Sequence, residues 1–407
     1  MTPSRQAHLD SLRGIAALIV VIVHYLAAFY PHTVFGIGGN YQQHTRWESI
    51  TFFPPFGLLT SGHFAVCLFF ILSGYVLSYS YLGEPRRTQN LLAAIIKRPI
   101  RLGGLVWVSI IVGSLFWYSG LFYNGPVSNL TSSQPWFSHF WAGSFNPSSF
   151  FVDLATSSFS KGNAYNPPLW TIKLELYGSM MVYLFLLLFG QSKYRLLIAI
   201  ILLLVFKDSL YQGFWIGLII ADIIKNYTHR ISLELSNTTY CLLFILFFYF
   251  SSYPHYANQE FIKSTIYSFL PDDQGFGGGY PMLSAVLIFV LIASNNKIKG
   301  YLSLPVFQFF GHISYGLYTM HLLIIGSFSS WLFLRLNTLL GYNISFIIAI
   351  SIGFPIIVLA AYMSTKYVDN PSIRLANYIE NKINRIHTAL LIKNLYNTKK
   401  FITKRST

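Results

Sequence analysis

His24 stands alone among apolar neighbours in the stretch His8 to Tyr25, eleven residues beyond Arg13. Residues 14 to 23 between the two are uncharged and almost all apolar. On an α-helix eleven positions make about three turns and about 16 Å of rise, so both side chains look the same way. If this helix spans a bilayer, Asp10 and Arg13 lie at one membrane face and the imidazole lies deep inside. An ionisable group at that depth is costly and points to function. Imidazole is also the side chain best suited to take up and return a proton near neutral pH.

Further polar residues interrupt the later apolar runs. Glu175, in LWTIKLE, enters from the opposite face to a depth of roughly 10 Å, and His24 lies roughly 12 Å below that face by helical rise. The depths predict that carboxylate and imidazole meet in one buried cavity, where the carboxylate would orient the ring and raise its basicity. A transmembrane histidine also serves as a plain interhelical hydrogen bond, so residue types alone leave both roles open. Lys173, two residues from Glu175, faces elsewhere and reads as a snorkelling or structural lysine. Ser73 and Gly74, in FFILSGYVL, would let either a second helix or a ligand approach the backbone closely. Arg98 and Arg101, in KRPIRL, lie one turn apart and with Arg13 would form a basic mouth for a phosphorylated cofactor. The same arginines also fit a topology signal. Tyr315, Tyr318 and His321 recur at three-residue spacing on one face of ISYGLYTMHLL.

The elements that must position these groups follow from composition. Charged residues are 10% of the 407, apolar residues 54%, and mean hydropathy is +0.50. Soluble domains carry about 25% charge, so most of this chain is expected in lipid. The fold class is all-α and polytopic, with about ten spans near 12–30, 62–82, 101–122, 168–190, 194–207, 210–226, 238–254, 281–295, 312–335 and 343–366. The first reads as a retained span rather than a cleaved signal. No inverted repeat is evident. Cys67 and Cys241 both fall in apolar segments, which leaves no disulfide framework, no zinc spacing and no expected metal.

With both termini cytoplasmic, only Arg46, Lys161, Lys207, Lys263 and Arg335 of the 28 Lys and Arg fall outside, and Lys173 lies within a span. Arg5, Arg86, Arg87, Arg230 and the basic tail all fall inside. The net charge of +15 is thus a topology signal, and nucleic acid is not an expected partner. A membrane domain over 1–371 would precede a basic cytoplasmic tail over 372–407, held by anionic lipid. Ile379, Ile383, Ile386 and Leu390 give that tail an amphipathic spacing. The long outer loops, 31–61 and 123–167, carry Trp47, Trp136 and Trp141. These suit either stacking on sugar rings or an interfacial aromatic belt.

In order along the chain, LDSLRGIAAL with Arg13-x10-His24, FFILSGYVLS, the pair Arg98 and Arg101, LWTIKLE with Trp170 and Glu175, SYGLYTMH and VDNP resemble the acyltransferase-3 family of integral membrane O-acyltransferases. The resemblance covers residues 7 to about 377. Pro99 inside the arginine pair and Asp369, where the family commonly has glutamate, are departures. The resemblance implies acyl transfer, acetyl first, from cytoplasmic acetyl-CoA to a hydroxyl of an extracytoplasmic glycan. Lipopolysaccharide O-antigen or another surface polysaccharide at a bacterial inner membrane would be the acceptor. His24 would be the catalytic histidine, with Arg13, Arg98 and Arg101 on the CoA side, and Glu175 is its expected catalytic partner by the depths given above. Asp10, Ser73, Gly74, Trp170, Tyr315, Tyr318 and His321 would hold substrate or support the site. With no hydrolase-like domain after the last span, the chain resembles the stand-alone members.

On the residues alone, His24 is either a general base on the acceptor or a transient acyl carrier. It is expected to share an aqueous chamber with the basic mouth. A secondary transporter or glycan flippase, with His24 and Glu175 as a proton relay, is the rival from another class. It would more typically show repeats and broken helices. A non-catalytic scaffold would tolerate loss of His24.

Overall fold

A computed structural model describes residues 7–36, 41–83, 90–156, 164–226, 235–272 and 277–385. Arg5, Arg86, Arg87, Lys161 and Arg230, and the tail from Ile386 through Leu390 onward, lie outside the described residues. Among those described there is no strand, and every expected apolar run forms helix. The main helices are α1 (Ala7–Phe29), α2 (Gly62–Tyr79), α3 (Leu91–Tyr118), α4 (Trp170–Phe189), α5 (Arg195–Val205), α6 (Gln212–Asn226), α7 (Asn237–Ser251), α8 (Gly279–Ser294), α9 (Pro305–Ile324), α10 (Ser330–Leu340) and α11 (Tyr342–Ser364).

Among the described residues six spans are long and apolar enough to cross a membrane: α1, α2, α3, α4 with its lead-in from Pro167, α9 running on into α10, and α11 continued to Arg385. A seventh results if α8 and the helix Asn296–Leu302, bent by 103°, are one span. The other runs of the expected ten form helices that are shorter than a span. The 11 residues of α5 rise only about 16 Å, roughly half a hydrocarbon core. The 15 residues each of α6 and α7 rise about 22 Å.

The distribution of polarity is the reverse of a soluble fold. Leu184, Leu188, Leu204, Val205, Leu339 and Leu359 are more than half exposed, while Arg98, Asp222 and His321 are buried. Apolar surface on that scale is stable only against lipid or a partner. The interior charges are satisfied internally: Arg195 grips Asp222 with two hydrogen bonds of 2.9 Å, joining α5 to α6.

The helices that carry the site are held close by glycine. A Cβ on Gly74 would run into the backbone of Phe214, so α2 and α6 touch main chain to main chain. Gly14 and Gly311 do the same between α1 and α9. Gly74 is thus a packing residue, whereas its neighbour Ser73 faces a cavity. The helix α3 continues unbroken through Pro99. Two single-turn π segments, Ile325–Ser329 after α9 and Thr365–Asp369 after α11, interrupt the α geometry next to the site. Such turns recur at functional positions.

Candidate active site

Helices α1, α2, α3, α4 and α9 enclose a cavity of about 590 Å³. Arg13, Arg98 and Arg101 line it, as the spacing predicts, together with Asp10, Glu175 and Asp369. The three guanidinium groups are held differently. Arg98 is buried, donates from Nε to Ser179 Oγ at 2.9 Å, and is paired through its terminal nitrogen with Glu175. Arg13 pairs with Asp10 one turn earlier at 3.5 Å. Arg101 forms no ion pair among the described residues and opens into the cavity, near Asp369. Two cations fixed by carboxylates and one left available suit an anionic ligand that needs both position and charge.

One face of α9 forms a wall. His312, Tyr315, Tyr318 and His321 recur every third residue, extending the predicted stripe by one turn. The first three line the cavity. Tyr315 donates to the Leu102 carbonyl at 2.7 Å and so ties α9 to α3. Tyr318 Oη lies 2.5 Å from Thr171 Oγ1 and donates to the Pro168 carbonyl at 2.7 Å. Thr171, which no sequence signal singled out, is the cavity residue at this point. Trp170 packs against the hydrophobic core and is not on the cavity wall.

Along α9 the cavity wall extends as far as Tyr318, level with Thr171, and neither His24 nor His321 lines it. This corrects the expected common chamber: His24 and the basic mouth are separated by one layer of hydrogen-bonded side chains. The His24 ring is nonetheless turned inward. It lies 4.8 Å from the ring of His321 and 5.6 Å from that of Trp136, centre to centre.

The expected pairing of His24 with Glu175 is also corrected. Thr171 lies level with Tyr318, and α4 and α9 run antiparallel. Glu175 is one turn further one way and His321 one turn further the other, so the two differ by roughly 10 Å in depth. At its own level the carboxylate meets Arg98. The partner of His24 is instead His321, whose Nε2 lies 3.3 Å from His24 Nδ1.

Carbonyl acceptors assign the tautomers. His24 Nδ1 is 2.7 Å from the Val20 carbonyl and His321 Nδ1 is 2.9 Å from the Leu317 carbonyl, so both Nδ1 atoms carry hydrogen. His321 Nε2 then holds a lone pair and accepts a second, weaker branch from His24 Nδ1–H. What remains on His24 is a lone pair on Nε2, the state a base requires. His321 is fully buried and His24 partly so. The proton relay from His24 to Glu175 has no continuous geometry here.

Beyond His24 the aromatic residues separate by role. Trp136 stacks on Phe137 at 5.5 Å, neighbours Phe35 at 6.1 Å and faces His24. Trp141 is buried, stacked on Phe122 at 3.7 Å and bonded to the Tyr165 carbonyl, and so is a core residue. Trp47 is exposed and packs on Tyr30.

A family model described as an acyltransferase domain matches residues 6–364. Acyltransferase R4 of Phoma sp. is 25% identical over 91% of this chain and 94% of its own length. O-acetyltransferase PaAT-1 of Phomopsis amygdali is 24% identical over 93% of this chain and 85% of its own. Acyltransferase clz18 of Cochliobolus lunatus is 25% identical over 90% and 93%. No solved structure matches the chain.

Proposed function

The chain belongs to the acyltransferase-3 family and is a membrane O-acyltransferase; from that premise we propose that it carries an acyl group, acetyl first, from acyl-CoA to an alcohol across the bundle. The donor's phosphates sit at Arg13, Arg98 and Arg101, and the acceptor hydroxyl reaches His24 Nε2. The observation that carries this reading is the α1 stripe, with a guanidinium mouth at one end and an imidazole with a free lone pair about 16 Å beyond.

His24 Nε2 takes the proton as the acceptor oxygen attacks the thioester carbonyl. The tetrahedral intermediate collapses, the C–S bond breaks, and the CoA thiolate takes the proton back from the imidazolium. His321 Nε2, accepting from His24 Nδ1–H, steadies that imidazolium and holds its tautomer, the part an orienting group plays beside any catalytic base. Glu175 acts one level away by fixing Arg98. The hydrogen-bonded pair Tyr318 and Thr171 is the layer the donor's flexible arm must pass. It keeps water from the mouth away from the imidazole until a donor is seated.

The basic end faces the cytosol, as positive charge directs, and the positive charge of segment 372–407 is attracted by anionic lipid. The acceptor is a glycan hydroxyl on the far side. That acceptor rests on Trp136 and its aromatic neighbours, whose faces suit the C–H face of a sugar ring, and a bacterial surface polysaccharide such as O-antigen is the first candidate. The fungal relatives are named for acyl or acetyl transfer alone.

The test is mass spectrometry of surface glycans from cells with and without the gene, together with label transfer from radioactive acetyl-CoA in membrane vesicles. A gain of one acetyl mass with wild type and none with His24→Ala is expected. Equal acetylation by His24→Ala would refute the assignment of the base. Unchanged glycans despite expression would refute the acceptor.

A further inference from the structure

The other faces of α1 and α2, turned away from the active-site cavity, meet a second cavity of about 270 Å³. His8, Leu9 and Leu12 reach it from α1, where Asp10 and Arg13 serve the first. Tyr75 and Tyr79 reach it from α2, where Ser73, Val76 and Leu77 serve the first. The remaining wall comes from Ile224 on α6, from Phe289, Ile292 and Ala293 on α8, and from Lys299 on the bent helix Asn296–Leu302.

The chemistry of this wall is divided. Leu9, Leu12, Phe289 and Ile292 are buried and apolar. Lys299 lies close enough to act electrostatically on His8, and among the described residues no carboxylate lines the cavity. Asp10, which acts electrostatically on His8, lines the other cavity and is engaged by Arg13. A second cation stands at the rim beside Lys299: Lys225 Nζ donates to the Tyr79 carbonyl at 3.1 Å and lies 5.6 Å from the Tyr79 ring centre. Apolar voids stay dry and need no charge around them, whereas like charges converging on one void repel unless an anion lies between them. The volume is below that of drug-sized pockets, which favours one chain over a nucleotide.

We propose that this second cavity binds an amphiphile, with one aliphatic chain among Leu9, Leu12, Phe289 and Ile292 and an anionic head between His8 and Lys299. The head is a carboxylate or a phosphate, from a free fatty anion or a membrane phospholipid. Because α1 and α2 wall both cavities, the occupant braces the helix pair that carries Arg13 and His24. The site does not depend on the catalytic reading above, and its test reads binding alone.

The full-length protein is purified into phosphatidylcholine nanodiscs and titrated with dodecanoate, with dodecyltrimethylammonium as a chain-matched cation. A second preparation contains dioleoyl phosphatidate, and retained lipid is read by native mass spectrometry. Dodecanoate or phosphatidate binds and the cation does not. Lys299→Gln weakens binding about tenfold, the loss of one charge-assisted contact. Ala293→Phe fills the void and removes binding with the charges intact, and Lys297→Gln, on the exposed neighbour, changes nothing. Retention of phosphatidate alone identifies a phospholipid, and binding of dodecanoate alone a free acid. The proposal fails if neither is retained, if the cation binds equally, or if Lys299→Gln and Ala293→Phe bind as wild type does.

Discussion

Replacing His321 separates an orienting role from a structural one. His321 Nε2 accepts from His24 Nδ1–H over 3.3 Å, a long bond while both rings are neutral. When His24 takes a proton, the same contact becomes charge-assisted, worth about 1.5–3 kcal/mol against about 1 kcal/mol for a neutral bond. The difference, about 0.5–2 kcal/mol, is realised only as charge develops, so kcat/KM should fall by roughly 2- to 30-fold in His321→Leu, through kcat. His24→Ala should cost more, about 10²–10⁴-fold, because the base itself is gone. His321→Gln can set its amide oxygen near the position of Nε2 and should recover most of the loss. The donor mouth lies about 16 Å away along α1, so the KM for acetyl-CoA should not move. The assay is initial-rate label transfer in vesicles, with expression and donor binding as fold controls. Activity of His321→Leu within twofold of wild type, with donor binding intact, would refute the reasoning.

The remaining predictions address other parts of the site. Trp136→Ala should raise the acceptor KM by about tenfold or more with a small change in kcat, since stacking on a ring face is worth about 1–3 kcal/mol; an unchanged KM would return Trp136 to the interfacial belt. Arg101→Gln should weaken acetyl-CoA binding, measured by calorimetry in detergent, without loss of thermal stability, because among the described residues Arg101 has no ion-pair partner to strand. Glu175→Gln should instead destabilise the fold by about 3 kcal/mol or more, since it leaves the buried Arg98 without its counter-charge; a melting temperature equal to wild type would show that the cavity already solvates Arg98. Gly74→Val should prevent close approach of α2 and α6 and lower the yield of monodisperse protein, while Ser73→Ala should leave the yield intact.

Much of the molecule is legible in one dimension. The scarcity of charge, the length of the apolar runs and the placement of Lys and Arg decide that the chain is helical and membrane-embedded. The near match of eleven residues to three helical turns decides that Arg13 and His24 share a stripe. The three-residue spacing from Tyr315 to His321 likewise decides a face, and His312 could have been read from the same period.

Lateral neighbours could not be read that way. Rise along a helix fixes a depth, measured from a membrane face that must itself be assumed, and it carries no information about which helices adjoin. Glu175 seemed to share the depth of His24, but the contact of Thr171 with Tyr318 sets α4 and α9 in a register that places it roughly 10 Å away, beside Arg98. His321, 297 residues from His24 in the chain, became its partner only because glycines at 14 and 311 let α1 and α9 lie backbone to backbone. Hydrophobic periodicity decides which face of each helix turns inward. Side-chain size and hydrogen bonding between helices decide what that face meets, and in this protein the second determines which group stands next to the candidate base.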